Sequence, residues 1–422
     1  MRSKKPCSPT KTVLAIFVAF LLASPIVPTQ AHAQKFKVLH TFHGPNGAGP
    51  FGELVRDDAG NLYGTTGAGG VGKCQSGFDD RCGTAYKLDK DGKQVWLHSF
   101  NGKNGLDPMA GLMRDQQGNL YGTTYLGGDT ACYKLGCGTV FKLDPSGKER
   151  LLYEFTGTPD GWFPLGPAIR DAKGNLYGTT QNGGGAGGLG TVFKVDRTGN
   201  ETVLYSFSGG TDGCDPHGGL IQDSAGNFYG TAEQGGMSGF CVGYGVVFKV
   251  DAAGGQTVLY RFQGGTDGAY PVGQLLLDAT GNLYGTTVQG GNGGCSVGQG
   301  CGTVFKLDTS GHETVLYRFT GGTDGQFPAA GLVRDKAGNL YGTATFGGNP
   351  NCHNGDCGVI FKLSAAGKET VLHAFTGGSD GWEPFGGVIR DSAGNLYGTT
   401  QTGGDTNCFP PNGCGVVFTL TK

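Results

Sequence analysis

The tripeptide Tyr-Gly-Thr recurs seven times in the chain, and this repetition constrains the fold more than any other sequence feature. The copies begin at Tyr63, Tyr121, Tyr177, Tyr229, Tyr284, Tyr341 and Tyr397, at intervals of 58, 56, 52, 55, 57 and 56 residues. A nearly fixed period of this length indicates one supersecondary unit repeated along the chain. Because every unit carries the motif, we interpret it as scaffold rather than as a functional site.

The composition narrows the class of protein. Glycine accounts for 85 of 422 residues without following a triplet rule, and apolar residues are regularly spaced between glycine-rich turns. These features exclude collagen, argue against disorder and favour an all-β protein with many short strands. The net charge of −2 provides no basic excess, so we expect no nucleic-acid partner.

Residues 1–33 have the features of a secretory signal peptide. Basic residues precede an apolar stretch at 13–23, and a small-x-small cleavage site follows at 31–33. The apolar stretch is short for a membrane span, and Cys7 precedes it, whereas a lipoprotein cysteine follows such a stretch. We therefore expect an exported protein, secreted or periplasmic, whose residues 34–422 form a single domain without a membrane span.

Each unit contains four short apolar runs separated by turn signals. In the sixth unit the runs are 330–335, 339–343, 358–363 and 370–375, which we name strands A, B, C and D. Asp-x-x-Gly recurs between A and B, and aspartate can accept backbone hydrogen bonds while glycine supplies the positive φ of a tight hairpin. Calcium binding is the alternative for these aspartates, but each turn offers too few oxygen ligands.

Four antiparallel strands per unit, repeated radially, are typical of a β-propeller. The mature chain begins with a D-type strand at 36–42 and ends with a C-type strand at 415–420, so the last unit lacks its own D strand. Pairing these two segments completes the seventh blade and hides two exposed strand edges. We predict a seven-bladed β-propeller of four-stranded antiparallel blades, closed by the N-terminal outer strand.

The loops divide between two faces. If strand A is innermost, the short A–B and C–D turns share one face, and the variable B–C loops and D–A crossovers share the other. Function on such scaffolds usually lies on variable loops that a rigid frame holds. We therefore predict the functional site on this second face, which we call the loop face.

Five D–A crossovers carry an aspartate before a glycine, with aromatic residues close by. The candidate ligand-binding residues are Asp160, Asp212, Asp267, Asp324, Asp380, Trp162, Trp382, Tyr270 and Phe327. One interpretation is a structural turn, with a following proline that fixes the entry into strand A. The other is a ring of carboxylates and aromatic faces that binds a sugar ring or a peptide.

Twelve cysteines follow the signal segment, and ten of them form close pairs within B–C loops. These pairs are Cys74/Cys82, Cys132/Cys137, Cys295/Cys301, Cys352/Cys357 and Cys408/Cys414. An even number of cysteines in an exported chain indicates disulfides, so we predict these five bridges and a sixth between Cys214 and Cys241. Because the five bridges close small loops, we expect them mainly to stiffen those loops. Zinc is the alternative, but no Cys-x-x-Cys motif or fixed histidine partner accompanies the pairs.

No catalytic constellation stands out in the sequence. Arginine recurs near the end of strand A in five units, at Arg56, Arg114, Arg170, Arg334 and Arg390. These residues suit a ring that binds an anion or, as five Arg-Asp dipeptides suggest, ion pairs with a nearby aspartate. His217 is an isolated loop residue without an evident partner. We predict no catalytic residue, no metal and no cofactor.

The unit Arg-Asp-x-x-Gly-Asn-Leu-Tyr-Gly-Thr-Thr, followed by Gly-Gly, Gly-Thr-Val-Phe-Lys-Leu-Asp and Val-Leu-Tyr-x-Phe, resembles the GloVer (Gloeo/Verruco) tandem repeat of secreted bacterial proteins. The resemblance covers residues 34–422, and the strand order is also similar to that of NHL-type propellers. The repeat family implies secretion but no established activity. Members often carry a C-terminal anchor, whereas this chain ends at Lys422 without one, which favours release or periplasmic residence.

We therefore expect an exported binding or structural scaffold, active as a monomer, whose ligand is a glycan or a protein. A carbohydrate or cell-wall binding module that uses Trp162, Trp382 and the crossover aspartates is one alternative. A propeller hydrolase or lyase with its site on the loop face is the other. On balance the sequence favours binding over catalysis.

Overall fold

The computed structural model describes residues 34–422 apart from 72–73, 75–81, 131, 133, 186, 293, 296–298 and 353–356. These residues form 28 β-strands, and no helix occurs among them. The described part of the chain accordingly contains no helix that is long and apolar enough to cross a membrane. The predicted signal peptide at 1–33 lies outside the described residues.

The strands are short and evenly distributed along the chain. In order they are β1 (Lys35–Thr41), β2 (Val55–Arg56), β3 (Leu62–Thr66), β4 (Thr84–Leu88), β5 (Gln94–Ser99), β6 (Met113–Arg114), β7 (Leu120–Thr124), β8 (Thr139–Leu143), β9 (Glu149–Glu154), β10 (Ile169–Arg170), β11 (Leu176–Thr180), β12 (Thr191–Val195), β13 (Glu201–Ser206), β14 (Ile221–Gln222), β15 (Phe228–Ala232), β16 (Val246–Val250), β17 (Gln256–Arg261), β18 (Leu276–Leu277), β19 (Leu283–Thr287), β20 (Thr303–Leu307), β21 (Glu313–Arg318), β22 (Val333–Arg334), β23 (Leu340–Ala344), β24 (Val359–Leu363), β25 (Glu369–Ala374), β26 (Ile389–Arg390), β27 (Leu396–Thr400) and β28 (Val416–Thr421).

The strands form seven four-stranded sheets, which confirms the predicted seven-bladed propeller. Blade 1 contains β2 to β5, and blades 2 to 6 follow in sets of four up to β25. Blade 7 contains β26, β27 and β28, with β1 as its outermost strand. Every strand pair is antiparallel, as in blade 1, where β2 pairs with β3, β3 with β4 and β4 with β5.

The two ends of the described chain close the ring. Strand β1 pairs with β28 from Lys35 opposite Thr421 to Thr41 opposite Val416. The predicted closure by an N-terminal outer strand is therefore correct, although β1 begins and ends one residue before the expected segment 36–42. The offset of the units leaves one unpaired strand edge on β1 and one on β28, and the pairing of these two strands covers both edges.

The A–B turns follow from their Asp-x-x-Gly-Asn sequence, as blade 5 illustrates. The backbone N–H of Gly281 donates to the carbonyl oxygen of Asp278 over 3.0 Å, which closes the hairpin. The Asp278 side chain accepts hydrogen bonds from the backbone N–H of Asn282 (3.0 Å) and from the hydroxyl of Tyr284 (3.1 Å). The prediction of turn chemistry for these aspartates is confirmed, since their oxygens bind the chain itself.

The remaining residues of Tyr-Gly-Thr have structural roles as well. A Cβ atom on Gly285 would lie 2.6 Å from Cζ of Phe305, so only glycine leaves room for the strand-C ring. The hydroxyl of Thr286 donates over 2.9 Å to the carbonyl oxygen of Ala330, which belongs to blade 6. The equivalent threonine bonds the next blade in six of the seven copies, so the motif holds each blade internally and mostly fastens it to the next one, which confirms its interpretation as scaffold.

The strand-A arginines also bridge neighbouring blades. The guanidinium of Arg334 lies 5.3 Å from the ring centroid of Tyr284, and its Nη1 is 3.6 Å from Oδ2 of Asp278 in the preceding blade. Arg56, Arg114, Arg170 and Arg390 stack on the tyrosines Tyr397, Tyr63, Tyr121 and Tyr341 in the same way. The pairing thus runs across the blade boundary, because strand A of one blade faces strand B of the preceding blade, and not within the Arg-Asp dipeptides.

Phenylalanines fill the wedge between successive blades. The residue after each strand D packs edge-on against an aromatic residue of strand C in the next blade, with ring centroids 5.0 to 5.5 Å apart. These pairs are Phe42–Tyr86, Phe100–Phe141, Phe155–Phe193, Phe207–Phe248, Phe262–Phe305, Phe319–Phe361 and Phe375–Phe418. All of these rings are buried, so each blade contributes one layer to a circular hydrophobic core.

Candidate functional site

The crossovers and the B–C loops lie together, as the predicted loop face requires. Each crossover forms an isolated antiparallel bridge with the B–C loop of the blade that it enters. The bridges are Ala48–Ala68, Leu106–Leu126, Trp162–Asn182, Cys214–Gln234, Ala269–Gln289, Gln326–Phe346 and Trp382–Thr402. Because the bridges tie these variable segments to each other, the loop face is built on an ordered frame.

The predicted crossover aspartates hold their own turns. Asp324 accepts hydrogen bonds from the Tyr317 hydroxyl (2.9 Å) and from the backbone N–H and hydroxyl of Thr320 (2.8 and 2.6 Å). Asp160, Asp212 and Asp267 bind Tyr153, Tyr205 and Tyr260 in the same way, and Asp380 binds the imidazole of His373. These contacts give all five carboxylates a structural role, and their part in ligand binding stays a prediction.

The four predicted aromatic residues lie in crossovers that enter four different blades. Trp382 is only 9% exposed, and its indole N–H donates to the carbonyl oxygen of Asn412 over 3.1 Å. Trp162 stacks on Phe163 with ring centroids 5.6 Å apart. Tyr270 and Phe327 directly precede the crossover prolines and have positive φ angles of 59° and 56°. Ligand contact by these residues is untested, but the indole of Trp382 is committed to the protein interior.

A ring of left-handed residues precedes the crossover prolines, and sequence reasoning missed it. Its non-glycine members are Asp107, Phe163, Asp215, Tyr270, Phe327 and Glu383, with φ between 53° and 62°. Each is held from both sides by backbone hydrogen bonds, as for Asp215, whose N–H donates to Leu189 (3.0 Å) and whose carbonyl oxygen accepts from Glu233 (2.9 Å). Non-glycine residues in this conformation are strained, and such strain is common at binding sites.

The residues that follow the crossover prolines line a cavity on the ring axis. It has a volume of about 230 Å³, and all seven blades contribute to its wall. The outer part of the wall, which we call the collar, consists of Phe51, Met109, Leu165, His217, Val272, Ala329 and Phe385. Two residues further along each crossover, Glu53 and Gln274 point into the cavity beside glycines such as Gly331 and Gly387. Burial raises the pKa of Glu53 to about 7, against the opposing effect of the Gly331 backbone N–H.

A second cavity of about 580 Å³, which we call the side pocket, lies between the B–C loops of blades 4 and 5. Its wall includes Met237, Val242, Tyr244 and Tyr270, and the last two rings meet edge-on with centroids 6.0 Å apart. Met237 and Val242 are 43% and 48% exposed, and Phe240 in the same loop is 70% exposed. Of the predicted aromatic residues, only Tyr270 lines this pocket.

His217 and Glu233 connect the two cavities. Nε2 of His217, a collar residue, lies 3.7 Å from Oε2 of Glu233, which lines the side pocket. Burial lowers the pKa of His217 to about 4, and burial together with the nearby charge of Asp215 raises the pKa of Glu233 to about 7. The expectation that His217 has no partner was therefore wrong, because the partner follows strand B of the same blade and only folding brings the two together.

The six predicted cysteine pairs are the six disulfides of the structure. They are Cys74–Cys82, Cys132–Cys137, Cys214–Cys241, Cys295–Cys301, Cys352–Cys357 and Cys408–Cys414. Cys214–Cys241 joins a crossover to the loop that carries the exposed residues of the side pocket, and so holds this apolar segment in place. Six disulfides suggest an oxidising extracellular or periplasmic environment.

The second cysteine of each loop bridge also belongs to the core, and the expectation that these bridges mainly stiffen their loops stays a prediction. These residues, Cys82, Cys137, Cys301, Cys357 and Cys414, are all buried, and each packs within a hydrophobic cluster of the core. The physical reason is their position, since a single glycine separates each of them from the first residue of a buried strand C. The bridges therefore anchor the B–C loops to the core, and these five cysteines belong to the scaffold rather than to the exposed part of the loop face.

The chemistry available at the two cavities is that of apolar side chains, the Glu53 and Glu233 carboxyls, glutamine amides and the uncharged imidazole of His217. Among the described residues, no group of three or more His, Cys, Asp or Glu side chains is placed to hold a metal ion. The two cavities, joined by His217–Glu233, are thus the candidate functional site.

The sequence and the fold are both similar to those of known proteins. The sequence matches the family described as the Gloeobacter/Verrucomicrobia repeat over residues 71–297 and 239–422. No curated protein matches the chain in sequence.

Two solved structures are similar in fold. A catalytically inactive virginiamycin B lyase from Staphylococcus aureus, solved with quinupristin, has a TM-score of 0.59 and 14% identity, over 92% of this chain and 99% of that chain. The extracellular domain of a hybrid two-component system from B. thetaiotaomicron has a TM-score of 0.51 and 13% identity, over 92% of this chain and 41% of that chain. At such identities the likeness concerns the fold alone.

Proposed function

Because the chain belongs to the Gloeobacter/Verrucomicrobia repeat family, its units form a shared scaffold, and we propose that this member is an exported module that binds a peptide on its loop face. The bound segment lies in the side pocket and contributes apolar side chains. The repeated strands and turns provide the rigid frame, and the B–C loop of blade 4 provides the specificity.

The exposed apolar loop of blade 4 carries this proposal. Met237, Phe240, Val242 and Tyr244 are all more than a third exposed, although they follow one another within eight residues. Such a patch next to a concave pocket is typical of an interaction site, because leaving apolar area in water costs about 25 cal/mol for each Å². The Cys214–Cys241 disulfide orders the loop in advance, which reduces the entropy lost on binding.

A peptide suits the exposed apolar loop beside this pocket better than a sugar does. Methionine, valine and phenylalanine offer no hydrogen bonds to the hydroxyl groups of a glycan, whereas Met and aromatic residues are enriched in protein interfaces. The pocket also has polar groups that an extended peptide backbone can use, namely the carboxyl of Glu233, the tyrosine hydroxyls and the amides of Gln234, Gln289 and Gln299. The carbohydrate alternative relies on Trp162 and Trp382, and the second of these is buried.

A lyase or hydrolase is the second candidate, and the His217–Glu233 pair favours it. The Glu233 carboxyl, with a pKa of about 7, is suited to exchange a proton near neutral pH, and the uncharged imidazole of His217 lies 3.7 Å from it. In that case the ligand is altered rather than merely bound. Chemical identity of the recovered ligand therefore separates the two candidates.

Selection from a random peptide library tests the proposal. We expect the purified protein to enrich peptides rich in apolar residues, and the double substitution Phe240→Ser with Val242→Ser to weaken their binding at least about tenfold, equivalent to about 1.4 kcal/mol. Val95→Ser is the matched control, since Val95 is 54% exposed but lies on strand β5 outside the pocket.

Two outcomes would contradict the peptide proposal. One is a library from which no sequence is enriched, and the other is equal binding by the double variant and by the Val95→Ser control. Mass spectrometry of the bound peptides then distinguishes binding from catalysis. Peptides recovered intact support the binding module. Peptides that the wild type shortens or modifies, and that the Glu233→Gln variant leaves intact, support the enzyme.

A further inference from the structure

The cavity on the ring axis combines a largely apolar collar with a single carboxyl, that of Glu53. Phe51 and Phe385 form part of the collar, with ring centroids 5.2 Å apart, and Met109, Leu165 and Val272 continue the apolar wall. Glu53 lies two residues after the collar residue Phe51 and lines the same cavity. None of the described residues that line this cavity is a lysine or an arginine, so the carboxyl has no cationic partner there.

The structure reserves space for the Glu53 carboxyl. A Cβ atom on Gly331 would lie 2.9 Å from its Oε1, and one on Gly387 would collide with the same oxygen. The nearby amide of Gln274 donates to the carbonyl oxygen of Leu220 over 2.9 Å, so it is engaged with the wall. The carboxyl therefore extends from blade 1 toward blades 6 and 7, with backbone as its main neighbour.

We propose that this cavity binds a primary ammonium group on an apolar stem, with Glu53 as its counter-ion. A partly buried carboxylate without a cationic partner is costly, and an ammonium ion provides both opposite charge and hydrogen-bond donors. The stem packs against Phe51, Phe385 and Met109, and the charged end reaches Glu53. The amine binds as a ligand and undergoes no reaction.

The size and chemistry of the cavity exclude the obvious competitors. Its volume of about 230 Å³, compared with about 30 Å³ for each water molecule in the liquid, gives room for a short organic chain. A lone carboxyl among apolar side chains supplies too few oxygens for Ca²⁺ or Mg²⁺. Anions are disfavoured, because Glu53 and the neutral His217 leave no positive charge in the wall.

Calorimetric titration of the full protein with n-hexylamine and with 1-hexanol at pH 8 tests the inference. Both probes have the same stem, and only the amine carries a charge. We expect n-hexylamine to bind at least about tenfold more tightly than 1-hexanol, and Glu53→Gln to remove that difference. Glu383→Gln is the matched control, since Glu383 is a half-buried carboxyl of the loop face that does not line the cavity.

A second variant keeps the test informative if Glu53→Gln folds poorly, as a thermal melt will show. Ala329→Phe fills the collar while leaving Glu53 in place, and it should abolish binding of both probes. Equal affinity for the amine and the alcohol, or unchanged amine binding in Glu53→Gln or Ala329→Phe, would overturn the inference.

Two sources of the ammonium group remain to be distinguished, a lysine side chain and a free alkyl amine. Competition by Nα-acetyl-lysine methylamide assigns the site to lysine, and failure to compete assigns it to free amines. The amine site and the side pocket share no lining residue. Binding of n-hexylamine should therefore persist in the Phe240→Ser/Val242→Ser variant, so that either proposal can fail alone.

Discussion

The hydroxyl of Tyr317 donates a hydrogen bond of 2.9 Å to Oδ2 of Asp324, seven residues later in the chain. Tyr153, Tyr205 and Tyr260 bind the aspartate seven residues further on in the same way. In the first unit the equivalent residues are His40 and Asn46, and Nδ2 of Asn46 lies 3.1 Å from Nε2 of His40. The end of strand D and the crossover are thus one hydrogen-bonded unit, and a change at either position acts on both.

Replacement of Tyr317 by Phe should destabilise the protein by about 1 kcal/mol, because it removes one hydrogen bond and retains the ring. Asp324 keeps its bonds from Thr320, which limits the loss. Urea denaturation measures the effect, and Tyr270→Phe is the control, since its hydroxyl makes no comparable bond within the described residues. Equal midpoints for the two variants would contradict a structural role for Asp324.

Glu313 should make the protein less stable as the pH rises from 5 to 8. Burial, assisted by the charge of Asp267, raises its pKa in the folded protein from the ordinary value of 4.5 to about 7. A carboxyl with a raised pKa contributes stability below its unfolded pKa and loses that contribution as the pH passes through the folded pKa. Since Glu201 and Glu369 have the same raised pKa, the effect is repeated in two other blades.

Thermal melts of the wild type and of Glu313→Gln across this pH range measure the contribution of that residue alone. The difference in Tm between the two proteins should favour the variant progressively as the pH rises. Lys148→Gln, a change on an exposed turn, is the control. A difference in Tm that is constant from pH 5 to 8 would refute the prediction.

Loss of the Cys214–Cys241 disulfide should cost more stability than loss of a disulfide within a loop. The bridge joins residues separated by 27 positions, whereas Cys295–Cys301 spans 6. The loop-closure relation gives a difference of about 1 kcal/mol between them. Guanidinium denaturation of the two double-serine variants is the measurement, and a larger loss from the Cys295/Cys301 pair would show that local packing outweighs loop length.

Gly387→Ala should destabilise the wild type by about 1 to 2 kcal/mol, because the new methyl group meets the carboxyl of Glu53. In a Glu53→Ala background part of this cost should disappear. The carbonyl oxygen of Gly331, 3.2 Å from the same Cβ position, accounts for the remainder. A double-mutant cycle gives the coupling energy, and a value near zero would mean that Glu53 does not occupy the space beside Gly387.

The blades could be predicted from the sequence because their determinants are local and repeated. Asp278, Gly281 and Tyr284 lie within one hairpin, and seven copies of that hairpin set the phase of every strand. The cysteine pairs were equally accessible, since five of the six are close in sequence. For these features, residues that are close together in the chain are also close together in the structure.

The candidate site could not be predicted from the sequence in this way. His217 precedes strand A and Glu233 follows strand B, and their contact depends on how the crossover meets the B–C loop at the loop face. Glu53 looks like an ordinary surface residue until blades 6 and 7 place Gly331 and Gly387 beside it. The step of two residues from Phe51 to Glu53, repeated from Val272 to Gln274 in the crossover of blade 5, is the sequence signal that could have found it.

The pairing of β1 with β28 also imposes an order of events on the maturing chain. Thr421 donates a hydrogen bond to the carbonyl oxygen of Lys35, a contact that spans 386 positions. Blades 1 to 6 are hairpin arrays that can form as soon as their own residues are available, whereas blade 7 needs β1 and β28 at the same time. Strand β1 can therefore pair with β28 only once the last strand is available, and the ring cannot close before then.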